Sequence, residues 1–95
     1  MSEEKTKVVF RKWSNGDIIA LFPEVPDDML GHYCMSYEHV GQHGAASPNT
    51  LTLLTTKPRP EEYAELKAEL ERIGYILEVR SRITSQMHAK RRASA

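Results

Sequence analysis

Lys7-Val-Val-Phe-Arg-Lys-Trp13, then Ser14-Asn-Gly-Asp17, then Ile18-Ile-Ala-Leu-Phe22 is the stretch on which the reading of this chain turns. The first segment is rich in β-branched and aromatic residues, and the last is apolar without interruption. Asn15-Gly16 between them is a strong hairpin signal, because a type I′ turn needs two residues with φ above zero. Ile18 to Phe22 shows no polar alternation, so it reads as a strand covered on both faces. Pro23 and Pro26 cannot donate to a ladder and are expected to end it. Val25 to Gly31 then reads as a loop.

Strand character returns from Tyr33 to Val40, with Tyr33, Met35, Tyr37 and His39 on one face and Cys34, Ser36, Glu38 and Val40 on the other. Gly41 to Asn49 reads as a turn-rich connection, and Thr50 to Thr56 as a strand with Leu51 and Leu53 on one face. Pro58-Arg-Pro60 marks a helix start, and Glu61 and Glu62 suit the positive end of its dipole. Tyr63, Leu66, Leu70 and Ile73 form one apolar stripe, and Gly74 supplies the C-cap. Tyr75 to Arg82 reads as a last strand with Tyr75, Leu77 and Val79 inward. The expected fold is α+β: a two-layer, mainly antiparallel sheet of about five strands, in chain order β-β-β-β-α-β, with one amphipathic helix. Residues 1–6 read as a flexible start, 7–83 as the single domain, and 84–95 as a basic tail, frayed or in a short helix. One helix cannot cover five strands, so part of the sheet is expected to meet another copy in a homo-oligomer.

Composition narrows the function classes. Ninety-five residues suit one domain, and 40% hydrophobic with 27% charged side chains suits a globular fold. A single cysteine excludes an internal disulfide framework. Met1-Ser-Glu-Glu-Lys5 lacks the basic and apolar regions of a secretory signal, and no apolar run approaches the length of a membrane span. These features point to a cytoplasmic protein. The formal charge is zero, with 13 basic and 13 acidic side chains. Arg80, Arg82, Lys90, Arg91 and Arg92 lie in residues 79–95 without any acid, so the body is acidic and the end basic. Those five residues are the candidate nucleic-acid contacts.

The chemically distinctive side chains gather between His32 and His43. His32, Cys34, His39 and His43 are ligand types that zinc accepts, but regular strand geometry would send Cys34 and His39 to opposite faces. Cys34 as a nucleophile would need a neighbouring base and an oxyanion site. His39 and His43, or His39 with Tyr37, could act as acid and base in metal-independent RNA cleavage, with Arg80 or Arg82 against the phosphorane. A third class is binding without chemistry. Gly41-Gln-His-Gly44 is rich in N–H groups that could hold a phosphate or carboxylate, with Tyr37 stacking on a ring and His39, Gln42 and His43 hydrogen-bonding. The Gly-x-x-Gly string follows a strand, unlike the helix–loop–helix of KH domains, and lacks the Lys-Ser/Thr of a phosphate-binding Walker loop. No cofactor is called for.

Three segments carry a resemblance: Val8-Val-Phe-Arg-Lys-Trp13 with Ile18-Ile-Ala-Leu-Phe-Pro23, then Ser36-Tyr-Glu-His-Val-Gly-Gln-His-Gly-Ala-Ala46, and Pro60-Glu-Glu-Tyr63 with Glu69-Leu-Glu-Arg-Ile-Gly-Tyr75. Over roughly residues 7 to 80 the chain resembles short accessory proteins carried by bacteriophages and integrated mobile elements. The resemblance implies a bacterial cytoplasm and a role in host takeover or defence evasion, by sequestering a nucleotide signal or blocking a host protein. The expectation is a non-enzymatic binding protein whose Tyr37–Ser47 segment lines a site at a subunit boundary, with a small ligand or host protein as occupant.

Overall fold

The computed structural model describes residues 5–38 and 42–95. Strands β1 (Thr6–Lys12), β2 (Ile18–Pro26), β3 (Cys34–Glu38) and β4 (Gln42–Ala46) form an antiparallel meander. Helices α1 (Pro48–Leu54) and α2 (Pro60–Ile73) follow, then β5 (Leu77–Arg80) and α3 (Ser85–Ser94). The sheet order is β4-β3-β2-β1-β5, with β5 parallel to β1. The fold is α+β on a five-stranded, mainly antiparallel sheet, as the residue pattern predicts. Among the described residues it carries three helices, where one amphipathic helix was expected and a short one at the basic end was left open.

The opening hairpin forms with a different turn from the one expected. Lys12 pairs with Ile18, so Trp13 to Asp17 make a longer loop than a two-residue type I′ turn. Gly16 N–H donates to the Trp13 carbonyl at 2.9 Å, and Gly16 sits at φ +95°, where a side chain would be strained. Asn15 contributes through its side-chain oxygen, which accepts the Asp17 N–H at 3.0 Å. Strand β2 does not stop at Pro23. Its pairing with β3 is irregular between Phe22 and Pro26, so the proline that cannot donate falls within a bulge rather than an end.

Residues 50–56, expected as a strand, belong mainly to α1. The three threonines of Thr50–Thr55 favour extended chain by propensity, but the leucines between them are good helix formers and Pro48 after Ser47 starts a helix. Thr52 and Thr55 hydroxyls turn back onto the Pro48 and Leu51 carbonyls at 2.7 and 2.5 Å. Leu51 is buried, whereas Leu53 is 86% exposed, which separates two residues that a strand would place together. The second helix follows expectation more closely. Glu62 accepts from the Arg59 N–H at 2.9 Å, and Gly74 closes the other end at φ +122°. Leu66 and Leu70 are buried, but Ile73 is half exposed and lies outside the stripe predicted for it.

Helices cover both faces of the sheet. On one face Leu66 and Leu70 of α2 pack with Val8, Phe10, Ala20, Phe22 and Tyr37. Phe10 stacks on Tyr63 and Phe22 on Tyr75, with centroids 4.3 and 5.1 Å apart. On the other face Leu51 of α1 packs with Ile19, Leu21, Cys34 and Ala46, and Trp13 and Ile83 lie against them. Helix α3 adds Met87, which is 2% exposed.

The basic end is thereby part of the core. Thr84 caps α3 by accepting the Met87 N–H at 3.3 Å. Arg91 is 1% exposed; its Nε and Nη1 donate to the carbonyls of Gly31 and Pro23, each at 2.8 Å. Gly31 has φ +72°, and a β-carbon there would stand 2.8 Å from Arg92 Cα, so glycine is needed for α3 to approach. Arg91 Nη2 lies 2.9 Å from His88 Nδ1. A guanidinium only donates, so Nδ1 must accept and the His88 proton sits on Nε2. Burial, then the charges of Arg91 and Arg92, hold the His88 pKa below its ordinary value.

Two outcomes follow from this packing. Arg91→Met leaves two buried carbonyls without their donor and should cost about 3 kcal/mol of stability, read by urea unfolding. A loss within measurement error would show that α3 is not docked. His88 takes a proton less readily folded than unfolded, so its contribution is intact above the ordinary histidine value of 6.5 and is lost as pH falls from there towards the lower folded value. The melting temperature should therefore drop between about pH 7.5 and about pH 5.5, and His88→Gln, which can still accept from Arg91, should reduce that slope.

Candidate functional site

Alternation along β3 decides where the distinctive side chains go. Met35 and Tyr37 face α2, whereas Cys34 faces α1, with Ser36 and Glu38 in step with it. Tyr37 is 2% exposed and donates its hydroxyl proton to Glu69 of α2, so its ring is part of the core instead of a free stacking surface. Opposite it across the ladder stands His43. The two rings meet edge to face at 4.7 Å, and His43 Nε2 lies 3.1 Å from the Tyr75 hydroxyl. His39 and Gly41 lie outside the described residues, and Gln42 enters only as the first residue of β4. Gly44, expected in a flexible anion-holding loop, is instead a strand residue paired with Ser36.

The metal and nucleophile readings lose their geometry. Cys34 is fully buried, and desolvation pushes its thiol up to about 11, against a small opposing effect of the Arg91 charge. His32 is exposed, and the His43 ring turns to the α2 side, away from Cys34. Among the described residues no group of three or more His, Cys, Asp or Glu is placed to hold a metal ion. No described helix is long and apolar enough to cross a membrane.

The proposed nucleic-acid contacts also disperse. Arg91 is buried, Lys90 lies 3.4 Å from Glu24, and Arg80 lies 3.0 Å from Glu78. Arg82 and Arg92 are exposed and have no carboxylate partner among the described residues.

What the fold builds instead is a cleft of about 360 Å³ on the α1 side of the β3–β4 hairpin. Ile19 and Leu51 supply apolar wall, and Trp13 borders it. Ser36, Glu38 and Thr50 bring polar groups to the same space. Ser36 donates to the Gly44 carbonyl at 2.8 Å, and Ser47 donates to the Thr50 hydroxyl at 3.1 Å, leaving the Thr50 proton to be given. Glu38 is half-buried and has no hydrogen-bond or ion-pair partner among the described residues. A β-carbon at Gly44 would meet only Ser36 Oγ, at 3.8 Å, so the floor of the cleft tolerates a side chain there.

The expected segment therefore contributes Glu38, His43, Gly44, Ala45, Ala46 and Ser47 to the cleft, although the His43 ring rests against Tyr37 and Tyr75. Trp13, Ile19, Thr50 and Leu51 come from elsewhere in the chain. Alternation along the strand assigns Ser36 and Glu38 to one face, as expected, but Thr50 and Leu51 join them only because residues 48–54 are helical. Comparison with known protein families, with curated proteins and with solved structures gives no match to this chain.

Cys34 provides a direct check on this description. Raising the thiol from 9.0 to about 11 lowers the thiolate fraction near neutrality about a hundredfold, and burial slows access further. Iodoacetamide should label the folded protein at least about a hundredfold more slowly than the urea-unfolded chain. Comparable rates would place Cys34 at the surface.

Proposed function

We propose that this chain is a non-enzymatic binding protein whose α1-side cleft takes a flat, amino-bearing ring such as a nucleobase. The observation that carries this reading is the Glu38 carboxylate, without a partner among the described residues, in a cleft bordered by Trp13 and walled by Ile19 and Leu51. A carboxylate accepts from exocyclic amino and ring N–H groups, and an indole offers a π-face for stacking. Among the described residues no Lys or Arg lines the cleft, which favours the base end of a nucleotide over its phosphate. Its volume lies in the small-ligand range of roughly 300–1,000 Å³.

This reading keeps the expected role, capture of a nucleotide signal by a phage or mobile-element accessory protein, and moves the contact from the glycine amides to the cleft wall. It includes self-association. Gln42-His-Gly-Ala-Ala46 forms one edge of the sheet without a proline or a formally charged side chain, the usual protections of an exposed edge, so a second copy is a fitting neighbour beside the cleft.

Trp13 is the sole tryptophan, so its fluorescence reports on this cleft directly. Titration with adenosine, guanosine and their nucleotides should shift its emission and raise the melting temperature. Glu38→Gln should weaken binding about tenfold, and Gly44→Val should abolish it by filling the floor while leaving the circular dichroism unchanged. Silence of Trp13 towards every nucleoside and nucleotide at about 1 mM would overturn the proposal.

A further inference from the structure

The same face of the sheet holds a second cleft, of about 350 Å³, between α1 and α3. Its character is opposite to that of the first. Val9 and Ile83 form apolar wall, and Leu53 of α1, 86% exposed, stands at the rim. Arg11, Arg82 and His88 also line it, and among the described residues no Asp or Glu does.

Each of these three groups is placed to donate. The guanidinium of Arg11 is held by Nε to the Thr55 hydroxyl at 2.9 Å, and by Nη2 to the Thr55 and Thr52 carbonyls at 2.7 and 3.1 Å. All three acceptors are neutral, so the side chain is fixed without a carboxylate partner among the described residues. Its Nη1 has no partner among the described residues. Arg82 is exposed and likewise has neither a hydrogen bond nor an ion pair among them. His88 accepts from Arg91 on Nδ1 and therefore carries its proton on Nε2, which remains to donate.

We propose that this cleft binds a small amphipathic anion: a carboxylate or phosphate group carried on an apolar body. The oxyanion meets Arg11 and Arg82, whose planar guanidinium groups match its geometry, and His88 Nε2–H adds a neutral donor. The apolar body lies on Val9 and Ile83 and covers Leu53, removing that side chain from water. A bare anion would gain only the charged contacts, and a neutral apolar molecule only the wall, so both parts are needed for affinity. The site is independent of the nucleobase reading, because α1 separates the two clefts and they share no lining residue.

The test is nitrogen–proton NMR of the full chain, following the arginine Nε–H and Trp13 indole signals. The probes are phenyl phosphate, benzoate, inorganic phosphate and benzyl alcohol. Phenyl phosphate, benzoate or both should shift the Arg11 and Arg82 signals with saturation in the millimolar range, at least about tenfold tighter than inorganic phosphate or benzyl alcohol. Which of the two binds identifies the oxyanion. Arg82→Glu, a change at an exposed position, should weaken that binding at least about tenfold with the backbone spectrum preserved, whereas Gly44→Val should leave it unchanged. Shifts that fail to saturate by about 10 mM, equal binding by Arg82→Glu, or benzyl alcohol binding as tightly as the anions would each overturn the proposal.

Discussion

Strand β2 has no face to spare. Ile19, Ala20, Leu21 and Phe22 are each 2% exposed or less, Ala20 and Phe22 towards α2 and Ile19 and Leu21 towards the opposite side. A strand that is apolar on both sides at the centre of a sheet requires a cover on both. That requirement organises the molecule, because α2 meets it on one side and the other is left to a seven-residue helix and the chain's basic end. Both clefts lie on that second side, beside and between the two smaller helices.

Arg91 shows how a charged segment can serve as cover. Its guanidinium spans from α3 to the carbonyls of Pro23 in β2 and of Gly31 in the loop that links β2 to β3. Pro23 is where β2 leaves regular pairing, so its carbonyl is released from the ladder and open to a side-chain donor. A bulge that costs ladder bonds thus supplies the acceptor that fastens α3, and Gly31 clears the space for it. Charge-assisted bonds are what make burial of so polar a group tolerable.

The sheet was legible in the residues because its signals are local: the hairpin flanking Asn15-Gly16, the apolar run, the alternation of β3 and the proline-to-glycine frame of α2. The errors share a physical origin in tertiary context overriding local preference. The threonines in residues 50–55 favour a strand, yet one proline, helix-forming leucines and back-bonding hydroxyls make a helix. Gly44, Ala45 and Ala46 have little strand propensity, yet β3 offers an open edge and they pair with it. Lys90-Arg-Arg92 reads as solvated charge, and nothing in its own neighbourhood tells that carbonyls 60 and 68 residues away await the middle one. Even so, the double-faced reading of Ile18–Phe22 already demanded more cover than a single helix could give.

The candidate site was less legible for a related reason. Attention to His32–His43 follows residue chemistry along the chain, but a strand deals alternate residues to opposite faces. Tyr37 enters the core on the α2 side with the exposed His43 ring against it, while the plainer Ser36 and Glu38 border the cleft on the other side. What gives the two clefts their characters is then α1, which presents Thr50 and Leu51 to one and Leu53 to the other. Arg11 ties the end of that helix to β1 through Thr52 and Thr55, and the same bonds aim its charge into the second cleft. Glu38, on the far side of α1, faces the first cleft without a cation in its lining. One short helix, pinned by one arginine, therefore keeps an acidic pocket and a basic pocket apart on a single face of the sheet.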